Sequence, residues 1–159
     1  MLPRFEPAVL AQHAGSIVAL IEHENAAESR VWHAVRTLPS AAIAEHETAI
    51  AAKLDDDDPR VREGVLWALS RLDPVPLHSY FATFVEALTD PEDDVGYASL
   101  CCIDQDLQGL TPAALIASYN ELRLAMVREG HHTMLLCAEE KFVWKMEELG
   151  IDDGDDGDY

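Results

Sequence analysis

Positive charge is what this chain has least of. Its 159 residues carry 11 Lys and Arg against 30 Asp and Glu, a formal net charge of −19 at pH 7. Nucleic acid is excluded as a partner on that balance, because phosphates would be repelled. An anionic membrane surface is disfavoured for the same reason. Where the charge is specific, it favours a protein partner with a basic patch, or a cation. Cysteine is also scarce. There are 3, two of them adjacent (Cys101 and Cys102), which is no disulfide framework. No stretch approaches 18 uncharged apolar residues, so no membrane span is expected. The opening MLPRFEPAVLAQH has no apolar run behind a basic patch, and we expect a cytoplasmic or other reducing setting. Aromatics make up only 7% of the chain, and strand-like alternation is rare. Nucleophile elbow, phosphate loop, dinucleotide fingerprint and zinc signature are all missing from the sequence, so no catalytic residue and no cofactor is expected.

What the chain does have is an echo. Leu20, Leu54, Leu88 and Leu122 stand at a constant step of 34. The same step relates Leu38 to Leu72, Ala34 to Ala68 and Cys102, and Val35 to Leu69 and Ile103. A supersecondary unit copied along the chain produces such a register, because each copy presents apolar groups at the same places to its neighbours. Within the units the apolar period is helical. Val61, Val65, Ala68, Leu69 and Leu72 form one stripe, and Leu77, Phe81, Phe84, Val85 and Leu88 form another.

The punctuation divides the chain into four helix pairs, each with a first helix A and a second helix B. We expect them at 5–22 and 26–38, 40–54 and 58–72, 75–88 and 91–107, and 111–128 and 131–149. Pro7, Pro39 and Pro74 open A helices, where a missing N–H is harmless. Thr111-Pro112 is a cap followed by a first-turn proline. Asp58-Pro59 and Asp90-Pro91 are read as opening B helices in one common manner, and Gly130 and Gly150 as closing helices. The fold class is therefore all-α. A lone amphipathic pair cannot hide its apolar stripe, so stacking into an α-solenoid of about four pairs is expected. We place that domain at 1–150, with an acidic tail at 151–159 (IDDGDDGDY) that has almost nothing to bury. The bulkier last pair, with Phe142, Trp144 and Met146, reads as a terminal cap.

The run LDDDDPRVREGVLWALSRL at 54–72 resembles a HEAT-type repeat: an acidic turn, Asp-Pro, Val-Arg, then small and apolar residues at helical spacing. LTDPEDDVGYASLCCI at 88–103 is a degenerate copy that keeps Val95 but has Gly96 where the Arg would stand. FEPAVLAQHAGSIVALIE is similar to the A helix of compact HEAT repeats. The resemblance covers residues 5–107. It implies a scaffold, adaptor or accessory subunit, since HEAT-type proteins are mostly of that kind. The alternative it carries is a metal-dependent enzyme of the deoxyhypusine-hydroxylase kind. The tetratricopeptide repeat has the same period, but its Trp, Leu-Gly and Tyr opening is missing here.

On this reading the B helices line the inner surface, and partner contacts fall to Arg30, Trp32, Arg60, Glu63, Trp67 and Tyr97, expected exposed or half-exposed. Two acidic turns, Asp55, Asp56, Asp57 and Asp58, and Asp90, Glu92, Asp93 and Asp94, form an edge that steers a basic partner or holds a cation. The plainer reading of those acids is capping of B-helix N-termini, with Arg36 and Arg71 at the opposite helix ends and Asp58 and Arg62 as an i, i+4 pair. His23-Glu24 and His46-Glu47 make no symmetric ligand set, being out of the repeat step. His131 and His132 diverge on a helix. No metal site is expected. Cys101, Cys102 and Cys137 read as small core residues.

Overall fold

The computed structural model describes residues 6–20, 29–72, 78–130 and 132–151, and every regular element among them is helical. The chain divides into two compact units, Met1–Asp73 and Pro74–Tyr159. No described helix is long and apolar enough to cross a membrane.

In the first unit, α1 (Pro7–Gln12) and α2 (Ala14–Ala19) make the first A segment, and α3 (Ser29–Thr37) its B helix. The second A segment is α4 (Ser40–Glu45) with α5 (Glu47–Ala51), and its B helix is α6 (Pro59–Leu69). α2 packs on α3, α5 on α6, and α3 runs against α6. The stripe Val61, Val65, Ala68, Leu69 and Leu72 is buried along its length, as are Val35 and Leu38 of the facing hairpin. Complete burial of such a side chain contributes about 1.5–3 kcal/mol. The helices approach closely where Gly64 meets Trp32: a β-carbon at 64 would lie 2.8 Å from the Trp32 Cβ and Cγ.

In the second unit, a 3₁₀ turn (His78–Tyr80) leads into α7 (Phe81–Ala87), followed by α8 (Asp93–Leu107), α9 (Pro112–Glu129) and α10 (Thr133–Glu148). α7 packs on α8 and on α9, while α10 packs on both α8 and α9. Phe142 of α10 is the hub. Its ring meets Phe81 edge-on at 5.8 Å and stacks on Tyr119 of α9 at 5.9 Å. The buried hydroxyl of Ser99 on α8 donates to the Phe84 carbonyl oxygen on α7. Leu77 of the second predicted stripe lies outside the described residues; Phe81, Phe84, Val85 and Leu88 are all buried.

The repeat register is a burial register in both units. Leu54, Leu88 and Leu122 are buried, as are Trp32, Leu66 and Leu100 at a second position of the echo. Leu20 departs from it and is 50% exposed. Two expectations about the helices need correction. The fourth A helix, α9, runs unbroken, but the first three are broken rather than continuous: His13, His46 and Tyr80 sit near φ −108, −111 and −115 with ψ between 8 and 16. That is the bridge region between helix and strand, where the chain turns without extending the α ladder. At His46 the amide bonds the Ile43 carbonyl three residues back instead of four. The B helices also do not open in one manner. Asp58 caps α6 through its side chain, with Pro59 in the first turn, whereas the N-cap position of α8 is Glu92, two residues beyond Asp90, whose side chain makes no capping bond. Thr111 caps α9 through its side chain, with Pro112 behind it, and Gly130 and Gly150 take positive φ where helices end.

Candidate functional site

On α6, Arg60, Glu63, Trp67 and, just past the helix end, Arg71 fall at i, i+3, i+7 and i+11, a single outward stripe. Trp67 is half-buried on it, and its Nε1 donates to Glu63 Oε1 at 2.9 Å. Arg36, from the last turn of α3, holds its Cζ 5.3 Å from the centre of the Trp67 ring. Arg71 Nη1 donates to the Arg36 carbonyl oxygen. The C-terminal ends of α3 and α6 are therefore joined by an Arg-Trp-Arg cluster on the surface of the first unit. The cation over the ring contributes about 0.5–1 kcal/mol at an exposed site, and Arg71 satisfies one of the carbonyls a helix end leaves open.

Three of the six expected contact residues, Arg60, Glu63 and Trp67, are thus brought onto one face. Arg60 is exposed but engaged: its Nε and Nη2 reach Asp58 Oδ1 and Oδ2 at 3.1 and 2.7 Å. Trp32 is a correction. It is 3% exposed, because it lies one residue out of phase with Trp67 in the repeat and faces Gly64 instead of solvent. Its indole N–H is buried with no hydrogen-bond acceptor among the described residues. Arg30 falls in the first turn of α3, and its side chain lies outside the described residues. Tyr97, on α8 of the second unit, is 55% exposed.

Sequence reasoning missed Arg36 and Arg71 as members of the Trp67 cluster, having assigned both to the helix dipole. It also missed Trp144. That side chain is 60% exposed because it lies two residues from buried Phe142, which is about 200° around a helix. Lys141, one turn before Trp144, pairs with Asp104 of α8 at 2.8 Å. Tyr97 lies two turns before Asp104, so Tyr97, Asp104, Lys141 and Trp144 share the outward face of α8 and α10.

The acidic turns separate into two kinds of residue. Asp56, Asp58 and Asp90 build the turns. Asp56 Oδ1 accepts the Asp58 N–H at 3.0 Å, and Asp90 Oδ1 accepts the Glu92 N–H at 3.0 Å, the same bond at the repeat step of 34. Asp58 caps α6 by accepting the Arg60 N–H at 2.9 Å. The hydrogen-bonded Arg60 side chain holds the Asp58 carboxyl below its ordinary value, and the bond pushes Arg60 up in turn. Arg62 Nη1 braces the turn by donating to the carbonyl oxygens of Asp56 and Asp57 at 2.7 and 3.1 Å. Asp55, Asp57, Glu92, Asp93 and Asp94 are exposed. Asp93 and Asp94 stand in the first turn of α8, where the helix dipole favours them.

Among the described residues no three His, Cys, Asp or Glu side chains converge as a metal would need. His46-Glu47 sits at the break between α4 and α5, and His23-Glu24 and His131 lie outside the described residues. Cys101 and Cys137 are half-buried. Cys102 is fully buried, which pushes its thiol pKa up, with Cys101 and Asp106 adding to the effect. Comparison of the chain with protein-family models, curated proteins and solved structures finds no match.

Proposed function

We propose that this chain is a HEAT-like helical-repeat module, its hairpins stacked as a solenoid, that works as a non-catalytic scaffold or adaptor. The partner is a protein, and it docks on the outward faces of the B helices. One observation carries the reading. Among the described residues, three of the four exposed or half-exposed Phe, Tyr and Trp side chains, Trp67, Tyr97 and Trp144, stand on B helices, on the side away from each unit's core; the fourth, Tyr80, lies in the 3₁₀ turn before α7. Large aromatics in such positions are the residue type that anchors protein interfaces. The repeat reading is supported by two backbone devices that recur at or within one residue of the 34 step, the A-helix break and the Asp-to-amide turn. The exposed acids Asp55, Asp57, Glu92, Asp93 and Asp94 provide long-range attraction for basic groups on the partner's rim.

The test is in-cell cross-linking followed by mass spectrometry, comparing the native chain with Trp67→Ala, Tyr97→Ala and Trp144→Ala. A partner lost from at least one variant and retained by a Val127→Ala control supports the reading. Truncating an anchor weakens a complex by about 2 kcal/mol or more, roughly thirtyfold. An identical set of cross-linked proteins in the native chain and all three aromatic variants would refute it.

A further inference from the structure

The Arg36, Trp67 and Arg71 cluster has a chemistry of its own, and the inference drawn from it rests on the docking reading above. In a chain with 30 acids and 11 bases, a surface guanidinium is expected to find a carboxylate. Arg60 and Arg128 do so. Arg36 and Arg71, both exposed, have no carboxylate within ion-pair distance among the described residues. The one acid in the cluster, Glu63, accepts the Trp67 N–H. Both guanidiniums are nonetheless held in place, one by the Trp67 ring and the other by the Arg36 carbonyl oxygen. The Arg36 guanidinium donates no hydrogen bond to any described residue, and that of Arg71 donates one.

We propose that this cluster receives an acidic peptide segment of the partner, with carboxylates on Arg36 and Arg71 and an apolar side chain against the exposed edge of Trp67. Three points support an acidic occupant. A guanidinium matches a carboxylate through paired N–H donors, a geometry that an ammonium or a neutral group does not use. Groups already held still lose less freedom on binding. Against the negative field of the rest of the chain, two guanidiniums without a carboxylate among the described residues are a place on this face where an anion is drawn in. The partner then carries both signs: carboxylates for the cluster and basic groups for the acidic turns.

The experiment is fluorescence anisotropy of the full chain with two labelled peptides. One alternates Asp and Glu with Leu and Phe, and the other has Lys at each acidic position. The protein variants are Arg36→Glu, Arg71→Glu, and Arg36→Lys with Arg71→Lys. The acidic peptide is expected to bind in a salt-sensitive manner. Each charge reversal should weaken it about tenfold or more, and the lysine pair should restore part of the loss. Both arginines are exposed, and circular dichroism checks that each variant is folded. No binding of the acidic peptide, or binding unchanged in both reversals, overturns the proposal. Tighter binding of the lysine peptide in a Trp67-dependent manner also overturns it while leaving the docking face standing. The docking reading fails separately, in the cross-linking comparison.

Discussion

Gly64→Ala tests how closely the two B helices of the first unit approach. The added methyl would stand 2.8 Å from both Cβ and Cγ of Trp32 and 2.9 Å from its Cδ2. These atoms form the stem and ring junction of a side chain that is 3% exposed, so they have nowhere to swing. Overpacking of this kind costs about 1–3 kcal/mol, and two contacts this short place it at the upper end. Against it stands the gain in helix propensity from Gly to Ala, about 1 kcal/mol. The net expectation is a loss of about 2 kcal/mol, read as an earlier midpoint in urea or thermal unfolding followed by tryptophan fluorescence. Gly96→Ala is the internal control. Its β-carbon would meet the Leu88 carbonyl oxygen at 3.3 Å and the flexible Met134 side chain at 3.4 Å. There the steric cost and the propensity gain should nearly cancel, within about 0.5 kcal/mol. Trp32→Leu combined with Gly64→Ala should recover part of the loss as a non-additive coupling. If Gly64→Ala is as stable as the native chain, α3 and α6 do not meet at Gly64 and Trp32.

Ser99→Ala removes a buried hydroxyl bond from α8 to α7. The Phe84 carbonyl keeps a bond from the Leu88 N–H, so the expected loss by urea titration is about 1 kcal/mol and not the larger value of an orphaned acceptor. Asp58→Ala removes the α6 cap and should cost about 1 kcal/mol, while Asp58→Asn keeps most of it. The Asp58 carboxyl is held below its ordinary value, so the stability it contributes is fully present above that value and is lost as pH falls through the lowered one. A stability-pH profile of Asp58→Asn should therefore be flatter on the acid side than that of the native chain. Thiol alkylation followed by mass spectrometry should mark Cys101 and Cys137 in the folded protein and Cys102 only after denaturation, since burial keeps that thiol protonated.

The apolar register was legible because burial follows a period that the sequence prints directly. Val35, Leu69 and Ile103 are fully buried where the echo puts them. The A-helix breaks were not legible. His13, His46 and Tyr80 are two histidines and a tyrosine, neither Gly nor Pro, and a bridge-region residue has no side-chain signature of its own. Trp32 was misplaced by phase. One residue is about 100° of helix, which separates the packed side of α3 from the outward side on which Trp67 lies. Arg36 and Arg71 were visible as charges but not as neighbours, because only the approach of α3 to α6 sets one beside the other. Trp144 could have been found, since Phe142 and Met146 define the buried stripe and Trp144 falls opposite it.

The Asp56 and Asp90 bonds give the corners of this chain an unusual independence. Both corners contain the same bond between a carboxylate and an amide two residues apart. A length of chain cut between two such corners takes a finished joint with it. Duplication or loss of one hairpin would thus carry this bend along with its own acceptor, and the protein could grow or shrink by a whole tile without that joint being redesigned.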